Sequence, residues 1–242
     1  MLVLKFGGTS VGSPENIQKV ITIVSETSKK ERTVVVVSAF GGITDQLLKA
    51  GVLASEKDES FREVFETITS RHLEAISELQ ITNSEAIAKV TNHLNTLEEL
   101  LKGIYYINEL SSNTIDKLSA YGELLSSLII TEAFNVCGSD ALHKNATELI
   151  KTTKPSGKHQ VDFATTNKEV NFHFKNSTAA ITIVPGFIAS NSLNEITTLG
   201  RGGSDFSAAI IAAAVHAKEL QIWTDVSGMY TANPKLVKQA RP

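Results

Sequence analysis

The sequence predicts an α/β protein, a three-layer α/β/α sandwich with a mostly parallel central sheet and a helical insert. Short apolar runs rich in β-branched residues alternate with helical segments, and residues 34–37 are all valine. A strand that is apolar on both faces must be covered on both sides, which is typical of parallel strands joined by helices. With 242 residues, 42% of them hydrophobic, the chain is long enough to bury one full core. We therefore expect a single domain over residues 1–242.

The candidate strands and the first helix follow from local patterns. The strands are predicted at residues 2–6, 33–37, 179–184 and 220–224. The first helix is predicted to begin with a Ser13 cap and Pro14 in its first turn, and to run to about Lys30. Near the end of the chain, residues 207–217 contain no helix breaker and predict a buried helix.

Between residues 57 and 138 the pattern changes to long helices with charges between apolar positions. We interpret this part as an insert within the domain. Its charged residues are expected to face solvent, and a dimer contact is the alternative. Residues 191–195 are typical of a hairpin turn, which would lie over the turn that contains Arg201.

Composition and charge exclude several function classes. The net charge is −3 and no long basic run is present, so neither nucleic acid nor an anionic membrane is an expected partner. Cys137 is the one cysteine, which excludes an intrachain disulfide and fits a reducing compartment. No signal peptide and no apolar run of membrane-spanning length is seen, and the six histidines show no metal-ligand spacing. We expect a soluble cytoplasmic protein that binds a small molecule.

The most informative motif is the glycine turn at residues 200–205, at the entrance to the alanine-rich helix. Arg201 offers a fork that fits a carboxylate or phosphate, and Asp205 can hold an ammonium group. Gly202 and Gly203 allow a ligand to approach the backbone beside the free N–H groups of the helix. The motif therefore suits a zwitterionic ligand, and the alternative is a tight turn in which Asp205 caps the helix.

A second glycine turn follows the first strand. Lys5 lies at the end of that strand, Gly7 and Gly8 form the turn, and a helix comes next. A lysine in this place could reach phosphate oxygens gathered over the glycine N–H groups. The alternative is a solvated residue at a strand end.

Two further segments bring polar side chains to the same region. Ser38 and Thr44 flank a glycine pair directly after the valine strand, at the carboxyl edge where open α/β sheets bind ligands, although Thr44 or Asp45 could simply start a helix. Glu123 follows Gly122 in an otherwise aliphatic helix, so a close approach and a partly buried carboxylate are expected there. A substrate ammonium would pair with that carboxylate.

The last strand leads into a threonine, a carboxylate and an aromatic ring, namely Thr224, Asp225 and Tyr230. The Tyr230 ring could stack on a purine, or it could belong to the core. In this order, the motifs at residues 5–11, 38–44, 119–123, 198–205 and 223–230 resemble the aspartokinases of the amino-acid kinase superfamily over essentially the whole chain.

The resemblance implies transfer of the ATP γ-phosphoryl group to the β-carboxylate of L-aspartate, with Mg²⁺ bound through the nucleotide. It implies that Lys5 and Asp205 are catalytic and that Lys5 stabilises the transferring group. The implied nucleotide contacts are Lys5, Gly7, Gly8, Thr224, Asp225, Tyr230 and Lys235. The implied aspartate contacts are Ser38, Thr44, Glu123, Arg201, Gly202, Gly203, Ser204 and Asp205.

The resemblance also implies that the chain is a kinase domain truncated after Pro242, without the regulatory ACT domains. Its parent would be a monofunctional enzyme or a bifunctional aspartokinase–homoserine dehydrogenase, and a homo-oligomer is expected only for that full-length parent. Two alternatives stay open: another amino-acid kinase, acting on glutamate or acetylglutamate, and a noncatalytic ligand-binding fragment.

Overall fold

The computed structural model describes residues 1–154, 159–224, 228, 231–232 and 236–241. The strands are β1 Leu2–Phe6, β2 Thr33–Val37, β3 Ala141–His143, β4 Thr152–Thr153, β5 Gln160–Val161, β6 Ile181–Pro185, β7 Ile188–Ser190, β8 Ile196–Thr198 and β9 Glu219–Trp223. The helices are α1 Pro14–Ser28, α2 Ile43–Ser55, α3 Phe61–Glu78, α4 Ser84–Ile107, α5 Ser112–Val136, α6 Ala146–Leu149, α7 Phe163–Asn176 and α8 Gly203–Ala214.

In the described part of the chain, five parallel strands form the central sheet in the order β3-β6-β2-β1-β9. All five residues of β2 are buried, and the strand lies in the middle of the sheet. The prediction that the valine run forms a central strand is therefore confirmed. Because all five strands point the same way, the segments that follow β1, β2, β6 and β9 start at one edge of the sheet.

Each face of the sheet packs against its own hydrophobic cluster. Along β2, Val35 and Val37 belong to the first cluster, which includes α1, α2, α3, α4 and α5. Val34 and Val36 belong to the second, which includes α7 and α8. This alternation follows from the two-residue period of a strand, and it confirms the predicted three-layer α/β/α class.

The helical insert packs into the first cluster. Helix α5 contacts β2, β3 and β6, while α3 and α4 contact α2. Buried residues of α4, such as Leu97 and Leu101, share one cluster with Leu4 of the sheet. No helix of the described residues is both long and apolar enough to cross a bilayer.

Several predicted boundaries hold and others move. Ser13 caps α1 by accepting a hydrogen bond from the Asn16 N–H at 3.3 Å, as predicted. Strands β7 and β8 form the predicted antiparallel hairpin. The prediction that α8 spans residues 207–217 was wrong at both ends, because the helix begins within the glycine turn at Gly203 and ends at Ala214.

The alternative interpretation of two helix starts as side-chain caps was also wrong. The N-cap of α2 is Gly42, with a φ of 83°, and the N-cap of α8 is Gly202, with a φ of 74°. Neither cap makes a side-chain hydrogen bond. Glycine adopts these left-handed angles without strain, so Thr44 and Asp205 sit inside the first helical turn with their side chains available for other contacts.

Candidate active site

A pocket of about 570 Å³ opens at the carboxyl edge of the sheet. The residues that line it come from the turns after β1 and β2, from α5, from the β7–β8 hairpin and from the start of α8. They include Lys5, Gly8, Ser38, Ala39, Gly41, Thr44, Asp45, Asp116, Ser119, Glu123, Phe187, Thr198, Gly200, Arg201, Gly202, Gly203, Ser204 and Asp205. The pocket thus joins four of the five motifs that the sequence singled out.

The glycine turn before α8 is shaped by close packing. Gly200 and Gly202 both have a φ of 74°. A Cβ at Gly203 would lie 2.7 Å from the Phe187 ring, so the start of the helix has no room for a side chain there. The first-turn N–H groups of α2 and α8 both border the pocket, and each helix N-terminus carries partial positive charge. The pocket is therefore suited to an anion.

Lys5 and Asp205 form an ion pair across the pocket floor, with Nζ and Oδ1 2.7 Å apart. The Lys5 side chain is 12% exposed and that of Asp205 is 53% exposed. Lys5 lies on the face of β1 that packs against α8, and Asp205 lies in the first turn of α8. The carboxylate thus fixes the direction in which the ammonium group points.

Glu123 brings a carboxylate into the pocket wall without a cation beside it. Its residue is 4% exposed, and Oε2 has no hydrogen-bond partner among the described residues. Burial raises the pKa of Glu123 to about 7, although hydrogen bonds from the backbone of Ala39 and of Glu123 itself oppose that rise. A buried carboxylate with a free oxygen is stabilised by a cation that enters the pocket.

The turns after β1 and β2 meet backbone against backbone. The Gly41 N–H donates to the Gly8 carbonyl at 3.1 Å. A Cβ at Gly8 would lie 3.0 Å from the Ala39 carbonyl oxygen. In the described residues, the N–H groups of Gly8 and Thr9 have no acceptor, so they can receive phosphate or carboxylate oxygens.

Helix α5 approaches this region closely at its glycine. A Cβ at Gly122 would lie 2.7 Å from the Ala39 Cβ. The close approach predicted at Gly122 is present, and it is what brings Glu123 to the pocket wall.

Most of the site residues named from the sequence meet in this pocket. Gly7 does not line it, but a Cβ at Gly7 would lie 3.3 Å from the Lys5 Nζ. Thr224 lines a different cleft of about 330 Å³, together with Phe6, Thr9, Ser10 and Trp223. The remaining predicted nucleotide contacts, Asp225, Tyr230 and Lys235, lie outside the described residues.

Sequence reasoning missed Asp116, which also lines the pocket. Its Oδ1 accepts a hydrogen bond from the Thr198 hydroxyl at 2.7 Å, and its Oδ2 lies 3.6 Å from His159 Nε2. Asp116 thereby ties α5 to the β7–β8 hairpin. Asp116, Ser119 and Glu123 follow helical spacing on one face, so helical periodicity counted back from Glu123 could have found it.

The pocket therefore combines an anion-binding side with a cation-binding side. Lys5, the free N–H groups and exposed Arg201 attract negative charge, whereas Glu123 attracts positive charge. Among the described residues, no group of three or more His, Cys, Asp or Glu side chains is arranged to hold a metal ion. Fold and site together define an α/β protein with a pocket suited to a small ligand of mixed charge at the carboxyl edge of a parallel sheet.

The chain belongs to the amino acid kinase family, whose model matches residues 1–242. The bifunctional aspartokinase/homoserine dehydrogenase 2 of Zea mays, a chloroplastic protein, is 34% identical over 98% of this chain, which spans 26% of that protein. Aspartokinase 1 of Arabidopsis thaliana, also chloroplastic, is 34% identical over 99% of this chain and 42% of its own length.

The structure is also similar to E. coli aspartokinase III, solved in complex with aspartate and ADP. The TM-score is 0.88 at 29% identity, and the match covers 100% of this chain and 53% of that one. The chain thus spans about half or less of the length of the relatives described here. The activities of those longer proteins are therefore not established for this chain by the similarity.

Proposed function

We propose that this chain is the catalytic domain of an aspartokinase, which transfers the γ-phosphoryl group of ATP to the β-carboxylate of L-aspartate. The observation that carries the proposal is the paired Lys5–Asp205 beside two glycine turns, facing the buried carboxylate of Glu123 in one pocket. The likeness to aspartokinase III bound to aspartate and ADP supports both substrates.

Glu123 and Arg201 would hold the amino-acid end of the substrate. The free Oε2 of Glu123 would accept a hydrogen bond from the α-ammonium, and the exposed Arg201 would pair with the α-carboxylate. Ser38, Thr44 and Ser204 line the same pocket as these groups and Lys5. They would orient the β-carboxylate toward the nucleotide.

Lys5 and the glycine N–H groups would support the transfer itself. A β-carboxylate oxygen of aspartate attacks the γ-phosphorus while the bond to the β–γ bridging oxygen breaks, giving 4-phospho-L-aspartate and ADP. The Lys5 ammonium neutralises negative charge on the equatorial oxygens, and Asp205 holds that ammonium in place. No strong base is needed, because the acceptor is already ionised.

Mg²⁺ fits this donor set only as part of the nucleotide complex. The described residues offer no cluster of three metal ligands, and Mg²⁺ commonly keeps waters and binds through substrate phosphates plus one or two carboxylates. Asp205 is the half-exposed carboxylate nearest Lys5. When bound, Mg²⁺ would supply charge neutralisation for the phosphates.

The same proposal gives the reaction a place in metabolism and the chain a place in a larger protein. The reaction would be the first step of lysine, threonine and methionine biosynthesis. A bifunctional or monofunctional parent carrying regulatory domains would contain this chain as a single kinase domain. We propose a cytoplasmic location, for which the exposed free thiol of Cys137 is the support in this chain. Homo-oligomerisation would belong to the full-length parent.

A glutamate or N-acetylglutamate kinase is the competing function. An N-acetylated acceptor carries no ammonium, so it would leave Glu123 buried and unpaired, at a penalty of a few kcal/mol. Glutamate keeps the ammonium but adds a methylene between it and the reacting carboxylate. The pocket therefore favours a free amino acid as acceptor. Whether that acceptor has the side-chain length of aspartate or of glutamate must be tested directly.

An acyl-phosphate assay distinguishes these functions. The protein is incubated with ATP and Mg²⁺, and hydroxylamine traps the product as a hydroxamate in parallel reactions with L-aspartate, L-glutamate and N-acetylglutamate. We expect product with aspartate at a rate at least about tenfold above either alternative. Product with another acceptor alone would replace aspartate in the proposal. No product with any acceptor, together with saturable binding of aspartate, would leave a noncatalytic binding module or a kinase that needs residues beyond Pro242, and the same assay on the chain extended past Pro242 would tell the two apart.

A further inference from the structure

Arg71, on helix α3 of the insert, reaches the two glycine turns of the pocket. Its Nη1 donates to the Gly41 carbonyl at 2.7 Å, and its Nη2 donates to the Gly12 carbonyl at 3.1 Å. Gly12 ends the turn after β1 and Gly41 lies in the turn after β2. One side chain from outside the sheet thus bridges both turns that border the candidate phosphate site.

The turns themselves leave little room for movement. The Gly41 N–H donates to the Gly8 carbonyl, and a Cβ at Gly12 would lie 2.9 Å from that same oxygen. That hydrogen bond joins the two turns directly. The Arg71 guanidinium adds a second connection from outside the turns, because its planar geometry presents two donors in a fixed arrangement, whereas a lysine presents a single point charge.

The surroundings of Arg71 indicate that its guanidinium serves the two carbonyl contacts and not an ion pair. Among the described residues no carboxylate lies within ion-pair distance of it. The next residue, His72, is fully buried and stacks on Phe40 of the second turn, with ring centroids 5.1 Å apart. Helix α3 therefore contacts this turn twice, once through a ring stack and once through a bidentate guanidinium.

We propose that Arg71 is a positioning residue for phosphoryl transfer, which acts by holding the Gly12 and Gly41 turns in register. The inference rests on the proposed function for its kinetic consequence, but the clamp itself is a property of the fold. Without the guanidinium, the turns would separate more often and the N–H groups of Gly8 and Thr9 would lose their alignment. Misplacement of such groups by about 1 Å can slow a reaction by about 100-fold.

The test compares Arg71→Gln and Arg71→Lys with the matched control Arg62→Gln. Arg62 lies on the same helix, but its guanidinium pairs with exposed Glu59 at 2.6 Å and does not contact the turns. Amide hydrogen exchange at Gly12 and Gly41 reports the clamp without requiring activity. In Arg71→Gln we expect this exchange to be about tenfold faster, while exchange in the interior of α3 is unchanged.

Kinetics provide the second measurement. In Arg71→Gln we expect kcat to fall about 10- to 100-fold, with the KM for aspartate changed by no more than about threefold. Arg71→Lys should recover part of kcat, and Arg62→Gln should match the wild type. Unchanged exchange at both turns, or a lowered melting temperature with unchanged kcat, would show that Arg71 is only structural. If the wild type shows no phosphotransferase activity, the proposed function is refuted for this chain. Hydrogen exchange at Gly12 and Gly41 would still show whether Arg71 holds the two turns together.

Discussion

At the scale of single residues, the two cations of the pocket differ in burial. The Lys5 side chain is 12% exposed and paired with Asp205, whereas Arg201 is exposed in the turn before α8. A cation fixed on the pocket floor can act on charge that develops during the reaction, while a cation at the rim mainly holds the ground-state ligand. The two residues should therefore affect different kinetic constants.

We predict that Lys5→Ala lowers kcat by at least about 1000-fold while leaving the aspartate Kd within about threefold of the wild type, because the proposed role of the lysine is to stabilise the transferring group. Arg201→Ala should instead raise the KM for aspartate by about 10- to 100-fold, since it loses a charge-assisted pair. The hydroxamate assay gives the kinetic constants and calorimetry gives the Kd. Normal turnover in Lys5→Ala would contradict the assigned role.

Glu123 makes stability depend on pH. Burial raises its pKa from 4.5 to about 7. Below pH 4.5 the group is protonated in both the folded and the unfolded state. Between pH 4.5 and 7 the unfolded chain ionises while the folded protein keeps its proton, so the contribution of Glu123 to stability falls as pH rises. Above pH 7 the full penalty, about 3 kcal/mol, applies.

We predict that Glu123→Gln removes this penalty. The gain in unfolding free energy relative to the wild type should be about 2–3 kcal/mol larger at pH 8 than at pH 5, as measured by urea denaturation. The control Glu109→Gln alters an exposed carboxylate after α4 and should give the same small difference at both pH values. An equal effect of Glu123→Gln at pH 5 and pH 8 would mean that Glu123 is ionised in the free protein.

At the scale of elements, the approach of α5 to the turn after β2 depends on Gly122. The turn has no space for a side chain from the helix at this point, because an added Cβ would lie 2.7 Å from the Ala39 Cβ. Gly103, in α4, has nothing within 4 Å of an added Cβ. The two glycines share helical surroundings but differ in packing.

We predict opposite effects of one substitution at these two positions. Gly103→Ala should stabilise the protein by about 0.5–1 kcal/mol, through helix propensity alone. Gly122→Ala should destabilise it by about 1–3 kcal/mol, because α5 must move away from the turn, and it should also weaken aspartate binding by displacing Glu123. Urea denaturation measures both changes. Stabilisation by Gly122→Ala would show that the approach is loose.

These elements also show how far sequence reasoning reaches. The valine run of β2 and the Ser13 cap were predictable, because each depends on residues that are neighbours along the chain. The close approach at Gly122 was predictable because a glycine inside an aliphatic helix stands out, although its contact, Ala39, is distant in sequence. The starts of α2 and α8 were not, because left-handed glycines replaced the expected side-chain caps. Asp116 and Arg71 were missed because their partners, Thr198 and the Gly12 and Gly41 carbonyls, are distant in sequence.

At the scale of the whole molecule, the insert and the sheet share one hydrophobic cluster. Leu101 of α4 is fully buried in the cluster that also contains Leu4 of β1 and Val35 of β2. An insert with its own core would be able to unfold by itself. A shared core instead couples its stability to that of the sheet.

We therefore predict that the insert and the sheet unfold together. Trp223, the one tryptophan of the chain, lies on β9 and reports the sheet by fluorescence, while far-UV circular dichroism is dominated by the long helices α3, α4 and α5. The two urea midpoints should coincide in the wild type. Leu101→Ala should lower both by the same amount, since it removes about 2–5 kcal/mol from the common core. A dichroism midpoint that falls while the Trp223 midpoint stays fixed would show that the insert unfolds as a separate unit.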